Sequence, residues 1–185
     1  MKYNNLFFEP ISKENFELIL KLQKQIFPGE SAKLNYIDTI ENNPERKQLA
    51  DWLVCDSEKP IGVVGFYSYL EYPQTAWLSW FGLLPEERGK KYGSIMFNFW
   101  IDYAKQNDYT EARLYTGKKS NQEVIDFYER KGMTQEPYLN ESESHEITDD
   151  TLIFSLSLTD TPVQKWGDKF LGLTEQLEKQ ELDTE

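Results

Sequence analysis

The chain has 185 residues, of which 39% are hydrophobic and 15% aromatic, and its formal net charge is −12. This length predicts one domain, or one domain with a short appendage, and it is sufficient to bury a full core. A single cysteine excludes an internal disulfide framework, and a single histidine argues against a His-rich metal site or a Ser-His-Asp triad. Neither an apolar run of roughly 20 residues nor a signal-peptide pattern is present, so we expect a soluble cytoplasmic protein.

The negative charge is concentrated at the C-terminal end of the sequence. Residues 140–185 carry twelve acids and three lysines, whereas residues 88–131 carry nine basic and six acidic residues. An acidic protein repels nucleic acids and anionic membranes, so neither is expected as a partner. The local basic stretch is typical either of solvated helix faces or of a site for one small polyanion.

The first half of the chain predicts a strand, two helices and an antiparallel meander. A short apolar strand is followed by Ser12, the predicted N-cap of a helix that ends at Pro28 and Gly29. A second helix and three β-rich segments separated by turns come next. The predicted strands span 6–11, 51–56, 61–70 and 75–84, and the second helix spans 31–42.

The second half changes to a strand–helix–strand pattern. The connection from the third meander strand through a helix to the next strand predicts a parallel pair. We therefore expect an α/β (α+β) fold with one twisted mixed sheet, antiparallel in its N-terminal meander and parallel at a βαβ cleft. The predicted elements are helices over 91–106 and 121–130, strands over 112–116 and 151–158, and an acidic loop over 140–150.

The C-terminal residues differ in character from the rest of the chain. Thr161, Pro162 and Gln164 have the pattern of a helix N-terminus, and apolar residues follow at alternating spacings of three and four. The sequence thus predicts a domain over 1–158, then an amphipathic helix and acidic tail over 159–185. This helix could dock on its own domain or form a homodimer through residues 162–178. Its apolar residues are Val163, Trp166, Phe170, Leu173 and Leu177.

A basic, glycine-containing loop lies between the third meander strand and the following helix. Residues 88–94 read Arg-Gly-Lys-Lys-Tyr-Gly-Ser. A helix N-terminus offers unpaired N–H groups and a partial positive charge, and glycine lets a phosphate approach that backbone. The loop is therefore a candidate phosphate site, with an ordinary loop-to-helix junction as the alternative. A P-loop NTPase is excluded, because its glycine-lysine motif is missing from the sequence.

This loop resembles the signature of the GNAT superfamily of acyl-CoA-dependent N-acyltransferases, Arg/Gln-x-x-Gly-x-Gly/Ala. Arg88 and Gly93 match the signature, whereas Lys91 stands where it has its middle glycine. The ammonium of this lysine could reach a phosphate, or its side chain could crowd the approach. A second segment, residues 121–133, resembles the family's Asn-x(n)-aliphatic-x-Phe-Tyr-x-x-x-Gly-Phe motif, with Met133 in place of the phenylalanine. The resemblance extends over residues 5–158.

The resemblance implies acetyl-CoA as a cosubstrate. The backbone of 88–94 would hold the CoA pyrophosphate, and the strand at Leu83 would pair with the pantetheine arm where the parallel strands separate. Asn121 would bind that arm, and Tyr128 would protonate the departing thiolate unless it is only a packed aromatic. Lysines 118, 119 and 131 and Arg130 could meet the 3′-phosphate or be merely exposed. The residues implied at the cofactor are Leu83, Leu84, Arg88, Gly89, Lys90, Lys91, Tyr92, Gly93, Ser94, Asn121 and Tyr128.

The attacking amine must be neutral, which requires a general base or a water relay. Many relatives keep a glutamate on the third meander strand, but residues 77–82 contain no carboxylate. Glu71 is the candidate base, with a solvated turn carboxylate as the alternative. His145 is expected to be exposed and Cys55 to be a core thiol. One aromatic cluster should be mainly core, with part of it walling an acceptor pocket: Tyr67, Tyr69, Tyr72, Trp77 and Trp80.

The predicted activity is direct transfer of an acetyl group from acetyl-CoA to the primary amine of a small acceptor. The acidic composition favours a cationic acceptor, such as a polyamine, an aminoglycoside or an amino-acid-like amine. The alternative is a non-catalytic acyl-CoA-binding or protein-interaction module on the same fold. Lys91 in place of glycine, the missing strand carboxylate and the appended helix favour that alternative.

Overall fold

The computed structural model describes residues 1–119 and 122–177 and contains one mixed sheet of eight strands. In chain order they are β1 (Lys2–Tyr3), β2 (Leu6–Pro10), β3 (Arg46–Asp56), β4 (Lys59–Tyr69), β5 (Thr75–Leu83), β6 (Glu111–Gly117), β7 (Thr134–Pro137) and β8 (Thr151–Ser157). Across the sheet the order is β1-β2-β3-β4-β5-β6-β8-β7. Neighbouring strands are antiparallel except β5 and β6, which are parallel, as the βαβ pattern predicts.

Helices cover both faces of the sheet. They are α1 (Phe16–Ile26), α2 (Lys33–Glu41), α3 (Tyr92–Gln106), α4 (Gln122–Arg130) and α5 (His145–Asp150), with further helical residues at 173–177 and a 3-10 turn at Pro85–Glu87. Because successive strand residues point to opposite faces, Trp52 and Val54 pack in the core below α3 and α4, whereas Leu53 and Cys55 pack against α1 and α2. The expected fold class is confirmed. No helix in the described ranges is long and apolar enough to cross a membrane.

Two element starts in the N-terminal half differ from the prediction. Helix α1 begins at Phe16 rather than directly after Ser12, because Asn15 Oδ1 accepts a hydrogen bond from Ser12 N at 2.8 Å and forms a turn before the helix. Strand β3 begins at Arg46, well before residue 51, because its polar first residues pair with β4. The first difference arises from a side-chain hydrogen bond and the second from strand pairing. The periodicity of apolar residues predicts neither of these contacts.

The acidic segment over 140–150, expected to be a loop, is partly helical. Ser144 is the N-cap of α5, and its Oγ accepts a hydrogen bond from Ile147 N at 3.4 Å. A serine in this position satisfies one of the otherwise unpaired N–H groups of a helix start. This local cap supports a short helix in spite of the segment's negative charge.

The predicted helix over 162–178 is wrong for residues 162–172, which are irregular. Gly167 and Gly172 have φ values of +69° and +68°, in the left-handed region that interrupts a helix. Trp166 is 2% exposed, whereas Phe170 is 45% exposed, so the apolar residues do not share one face. The continuous seam on which the homodimer prediction depended is therefore not formed.

Residues 160–177, here called the C-terminal segment, pack on the domain itself. Trp166, Leu171 and Leu173 are buried in a cluster with Tyr69 and Trp77 of the sheet. Docking on the same domain was one of the two expected arrangements. The segment docks mainly as an irregular chain, with helical residues at 173–177.

Candidate active site

Strands β5 and β6 separate partway along their length. Residues 75–77 pair with 111–113, and the register of this parallel pair ends there. Beyond this point, residues 78–81 and 114–117 line opposite sides of a cavity of about 610 Å³. The strands therefore leave a gap in the middle of the sheet, open to side chains from both faces.

Strand β5 contains a β-bulge where it lines this cavity. The pairing with β4 passes from Val63–Gly82 to Gly65–Ser79, so β5 contributes one extra residue. Within the bulge, Trp80 has a φ of +36°, and its Nε1 donates to an Asn35 oxygen on α2 at 3.2 Å. A bulge takes residues out of the strand ladder. Backbone groups near residue 80 are thereby available to a bound molecule.

Tyr128 of α4 lines the cavity from the α3/α4 face of the sheet. Its ring centroid lies 5.5 Å from that of Phe154 and 6.4 Å from those of Phe81 and Phe97. Burial raises the pKa of the phenol well above its usual value of 10. The hydroxyl is consequently protonated at physiological pH and can act as a donor. Tyr128 is thus a packed aromatic that also lines the cavity, and its expected role as the proton donor to the thiolate stays a prediction.

Asp51 of β3 lines the cavity from the α1/α2 side, and neither of the two motifs includes it. The residue is 5% exposed, and its Oδ2 accepts a hydrogen bond from Thr39 Oγ1 on α2. Burial raises the pKa of the carboxyl to about 7, and the Thr39 hydroxyl acts against that rise. One sequence signal was present but was missed: an aspartate at the head of an apolar strand run, where strands rarely carry this residue.

Other charged groups at the α1/α2 end of the cavity are mostly acidic. Glu30 and Asp38 line it together with Asp51, and burial raises the pKa of Glu30. Arg46 is the single basic residue among the described residues that line the cavity. Its guanidinium lies 4.5 Å from the ring centroid of Tyr69 and is stacked on that ring. This end of the cavity therefore carries an excess of carboxylates.

The basic loop has a backbone suited to its place before α3. Gly89 has a φ of +78° and Lys91 a φ of +66°, and Lys91 is the N-cap residue of α3. The middle position of the signature thus keeps a left-handed conformation, which favours glycine, although a lysine occupies it. A Cβ at Gly89 would meet no atom within 4 Å, and one at Gly93 would meet only the Phe127 ring, at 3.8 Å. Neither glycine is needed for close protein packing.

Ion pairs and hydrogen bonds hold this loop in shape. The buried carboxylate of Glu87 binds Lys59 and Lys90, and hydrogen bonds from these two lysines lower its pKa. The Tyr92 hydroxyl donates to an Asp56 carboxylate oxygen at 2.6 Å, and Arg88 Nε donates to a backbone oxygen of β5. The loop is therefore positioned before any ligand arrives.

Several expected site residues lie elsewhere. Leu84 is buried and its N–H donates to Ile61 O at 2.9 Å, so residues 78–81, rather than Leu83 and Leu84, line the cavity. Glu71 is exposed in the turn before β5, near the end where β5 and β6 are paired, and it is not among the lining residues. The expected base is thus not brought to the cleft, and its placement fits the alternative of a solvated turn carboxylate. Asn121 lies outside the described residues.

The other residues singled out in the sequence lie partly in the core, partly at the cavity and partly on the surface. His145 is exposed on α5, and Cys55 is buried against α1 with its thiol pKa raised by burial, as expected. Of the aromatic cluster, Tyr67 and Trp80 line the cavity, whereas Trp77 packs in the core. Among the candidate cations, the ammonium of Lys118 donates to Asp149 O, and that of Lys131 lies 5.5 Å from the ring centroids of Phe97 and Phe127.

Comparison with known proteins identifies the class. The model of the acetyltransferase (GNAT) family matches residues 16–133, and the chain belongs to this family. The resemblance of the two motifs is thereby confirmed, as is the expectation of an acetyl-CoA-dependent N-acetyltransferase. A search of curated proteins finds no match to the chain.

Solved structures show the same fold at low identity. The ribosomal-protein-S18-alanine N-acetyltransferase from Escherichia coli has a TM-score of 0.65 at 12% identity, covering 87% of this chain and 99% of that one. Spermidine N-acetyltransferase from Vibrio cholerae, in complex with CoA and spermine, has a TM-score of 0.63 at 18% identity, with coverages of 83% and 96%. The PaiA N-acetyltransferase from Thermoplasma acidophilum, with coenzyme A, has a TM-score of 0.61 at 17% identity, with coverages of 82% and 98%.

Proposed function

We propose that this acetyltransferase acts on a primary amine of a small cationic acceptor. The observation that carries the proposal is the cavity in the gap between β5 and β6, with Tyr128 on one face of the sheet and carboxylates on the other. A thioester placed in this gap would be accessible to an amine from the α1/α2 side. The two reactants would then meet between the separated strands β5 and β6.

The basic loop supports binding of the CoA pyrophosphate. The first N–H groups of α3, at Tyr92 and Gly93, precede the start of intrahelical bonding and carry the positive end of the helix dipole. The ammonium of Lys131, beside the Phe127 ring that faces Gly93, adds charge at the same place. For the pantetheine arm we assign residues 78–81, whose edge faces the gap, in place of Leu83 and Leu84.

The reaction is addition of the amine to the thioester carbonyl, followed by breaking of the C–S bond. A thiol has a pKa near 8.5, below that of the buried Tyr128 phenol, so the phenol is a weaker acid than the thiol that forms. Tyr128 therefore stabilises the departing sulfur as a hydrogen-bond donor. The thiolate takes up one proton and the attacking neutral amine loses one, so the reaction has no net change in protons.

The charge and walls of the acceptor end favour a cation. Three carboxylates, those of Glu30, Asp38 and Asp51, face one guanidinium. Trp80 and Phe27, with ring centroids 5.4 Å apart, offer aromatic faces of the kind that attract ammonium groups. A relative of the same fold was solved with spermine, which supports a polyamine as one member of this class.

Calorimetric titration of acetyl-CoA, followed by thiol release with spermidine, kanamycin and lysine amide, tests the proposal. We expect 1:1 binding and release of free thiol with at least one of these amines. Binding without release in any of them would contradict the proposal and favour a non-catalytic module.

The features that favoured that module are also compatible with catalysis. Lys91 has a left-handed backbone, the conformation that glycine adopts most readily, and Asp51 is a carboxylate at the cavity although β5 itself has none. The irregular C-terminal segment packs on its own domain. Cytoplasmic localisation and the oligomeric state remain predictions from the sequence.

A further inference from the structure

We propose that Asp51 is the general base that accepts the proton of the attacking amine, and that Thr39 positions it. This inference rests on the proposed function. It concerns a residue on β3, outside the two motifs, and it follows from the placement of one carboxylate in the sheet.

Asp51 is a buried carboxylate without a cationic partner in the described ranges. Buried carboxylates are usually paired with a positive charge, because an isolated one is costly to remove from water. Thr39 Oγ1 donates to Oδ2 and is the hydrogen-bond donor that the structure gives this group. A carboxylate offers about four acceptor positions, so Oδ1 retains its capacity to accept a proton.

The sheet leaves room for this carboxylate beside the bulge. Asp51 pairs with Gly65 in β4, which in turn pairs with Ser79 in β5. A Cβ at Gly65 would overlap Asp51 Oδ1 and would come within 3.0 Å of Ser79 Cβ. Because Gly65 has no side chain, Asp51 Oδ1 can lie over β4 and close to Ser79. That position is at the cavity wall, where β5 leaves its ladder.

Asp51 and Tyr128 lie on opposite sides of the gap. Tyr128 belongs to the core below α3 and α4, whereas Asp51 is bonded to α2 on the other face, and both line the same cavity. Addition followed by elimination requires a proton acceptor where the amine enters and a donor where the thiol leaves. The two residues are arranged in this order across the sheet.

The surroundings of Asp51 keep the pKa of its carboxyl group near 7. Its pKa of about 7 makes it roughly half ionised at pH 7, and a base is most effective when its pKa lies near the working pH. A bound ammonium would favour the ionised form further. The charged and titratable groups that line the cavity with Asp51 include Glu30 before α2, Asp38 of α2, Arg46 of β3, Tyr67 of β4 and Tyr115 of β6. Tyr36 of α2 lies close enough for the Asp51 charge to contribute to raising its pKa.

The acceptor reacts as its neutral amine, after its ammonium form has released one proton to solvent. The amine nitrogen forms a bond to the thioester carbon while the carbonyl π pair moves to oxygen, and an N–H proton passes to Asp51 Oδ1. The oxygen pair then re-forms the carbonyl, the C–S bond breaks, and the thiolate leaves beside Tyr128. Asp51 releases its proton to solvent, and the thiolate takes up one, so the net products are the acetamide and CoA thiol.

The test is the pH dependence of kcat/KM for wild type and Asp51→Asn, with acetyl-CoA and whichever of spermidine, kanamycin or lysine amide releases thiol. Asparagine has the same shape and keeps an oxygen for the Thr39 hydroxyl, but it cannot take up the proton. We expect wild type to lose activity below an apparent pKa near 7. In the variant, kcat/KM should fall by about 10²-fold or more and this acidic limb should disappear, with acetyl-CoA affinity unchanged.

Thr39→Val separates a positioning role from a purely structural one. Removing the hydroxyl removes a bond that lowers the Asp51 pKa and holds its carboxylate in place. The acidic limb should therefore move to higher pH, and kcat on the alkaline plateau should fall by less than in Asp51→Asn. Asp38→Asn is the matched carboxylate control. It should raise KM for cationic acceptors and keep the limb in place.

Each outcome decides between the two proposals. An Asp51→Asn variant that keeps both the rate and the limb overturns Asp51 as the base and leaves the acetyltransferase function intact. A wild-type protein that binds acetyl-CoA but acetylates none of the amines overturns both. If Asp51→Asn does not fold by circular dichroism, an unshifted limb in Thr39→Val overturns the inference.

Discussion

Asp51 is held at the boundary between the apolar core and the cavity. Its neighbours in β3, from Trp52 to Cys55, are buried apolar residues, and the Thr39 hydroxyl bonds its Oδ2. Burial favours the neutral carboxylic acid over the charged carboxylate, and it therefore raises the pKa of Asp51. A residue with this cost to stability needs a functional reason for its presence.

The ionised Asp51 carboxylate destabilises the folded protein, so we expect Asp51→Asn to raise the free energy of unfolding at pH values where wild-type Asp51 is ionised. The folded-state pKa of about 7 lies above the ordinary value of 3.8, so the native state retains a proton that the unfolded state releases between these pH values. The wild-type free energy of unfolding should therefore fall by about 3 kcal/mol as pH rises from 4 to 7, and should level off above about pH 8. Urea denaturation should show the variant to be more stable than wild type at pH 8, with the difference vanishing near pH 4. An equal difference at both pH values would contradict the assignment.

Tyr128→Phe tests the donor end of the cavity. The substitution keeps the ring that packs near Phe154 and removes the hydroxyl, so folding and acetyl-CoA affinity should be unchanged. We expect kcat to fall by about 10²-fold. Tyr103→Phe, which removes a partly buried phenol bonded to Gln48 outside the cavity, is the control and should turn over at the wild-type rate. Wild-type kcat in Tyr128→Phe would leave Tyr128 with a packing role alone.

At the scale of the element, the junction from β5 to α3 combines a fixed shape with positive charge. A 3-10 turn at Pro85–Glu87 is followed by two left-handed residues, Gly89 and Lys91, before α3 begins. The buried carboxylate of Glu87 binds Lys59 of β4 and Lys90 of the loop. Lys91 departs from the family signature in its side chain, but its φ of +66° lies in the left-handed region that favours glycine.

Lys91→Gly and Lys91→Ala separate backbone strain from charge. Glycine relieves a left-handed strain of about 1–2 kcal/mol but adds unfolded-state entropy, so its net gain in unfolding free energy should be about 0.5–1 kcal/mol. Alanine keeps the strain and should give no gain. If the ammonium reaches a phosphate, both variants should raise the Kd for CoA about three- to tenfold in calorimetry. Tighter binding in both would instead support crowding by the lysine side chain.

At the scale of the whole molecule, the C-terminal segment is bound to the domain through Glu143. Its carboxylate accepts hydrogen bonds from Leu173 N at 2.8 Å, Thr174 N at 2.9 Å and the Tyr138 hydroxyl at 2.9 Å. Burial acts to raise the pKa of Glu143, but the hydrogen bonds from Thr174 and its neighbours outweigh it and leave the pKa lowered. Gln176 of the same segment lines the cavity, so this attachment also shapes the site.

Glu143→Ala should release the C-terminal segment. The loss of several bonds to a charged, buried acceptor predicts destabilisation by about 3 kcal/mol at pH 7, measured by urea denaturation with tryptophan fluorescence. Because the folded pKa is lowered, the carboxylate stabilises the protein above the ordinary pKa and loses this effect as pH falls through the folded value. The difference from wild type should therefore shrink in acid. Glu141→Ala, an exposed neighbour, is the control and should change stability by less than about 0.5 kcal/mol.

The sequence alone determined the order of six of the eight strands and of helices α1 to α4, the parallel βαβ unit and the candidate phosphate-binding loop, but not the short strands β1 and β7 or helix α5. These features depend on information carried by neighbouring residues: apolar periodicity, turn residues at Pro28 and Gly29, and the motif from Arg88 to Gly93. The two motifs also identified the family, because their residue types and spacing follow one another along the chain. Sequence patterns were sufficient to predict these features because the contacts that determine them are between residues close in sequence.

Only the tertiary structure decided which residues line the cavity and how the C-terminal segment ends. Asp51, Gly65 and Ser79 belong to three strands, and they become neighbours only when those strands pair. The apolar spacing from Trp166 to Leu173 predicted one helix, whereas packing against Tyr69 and left-handed glycines produced an irregular chain. Residues distant in sequence meet through strand register and burial, and a periodicity along one segment carries no information about either.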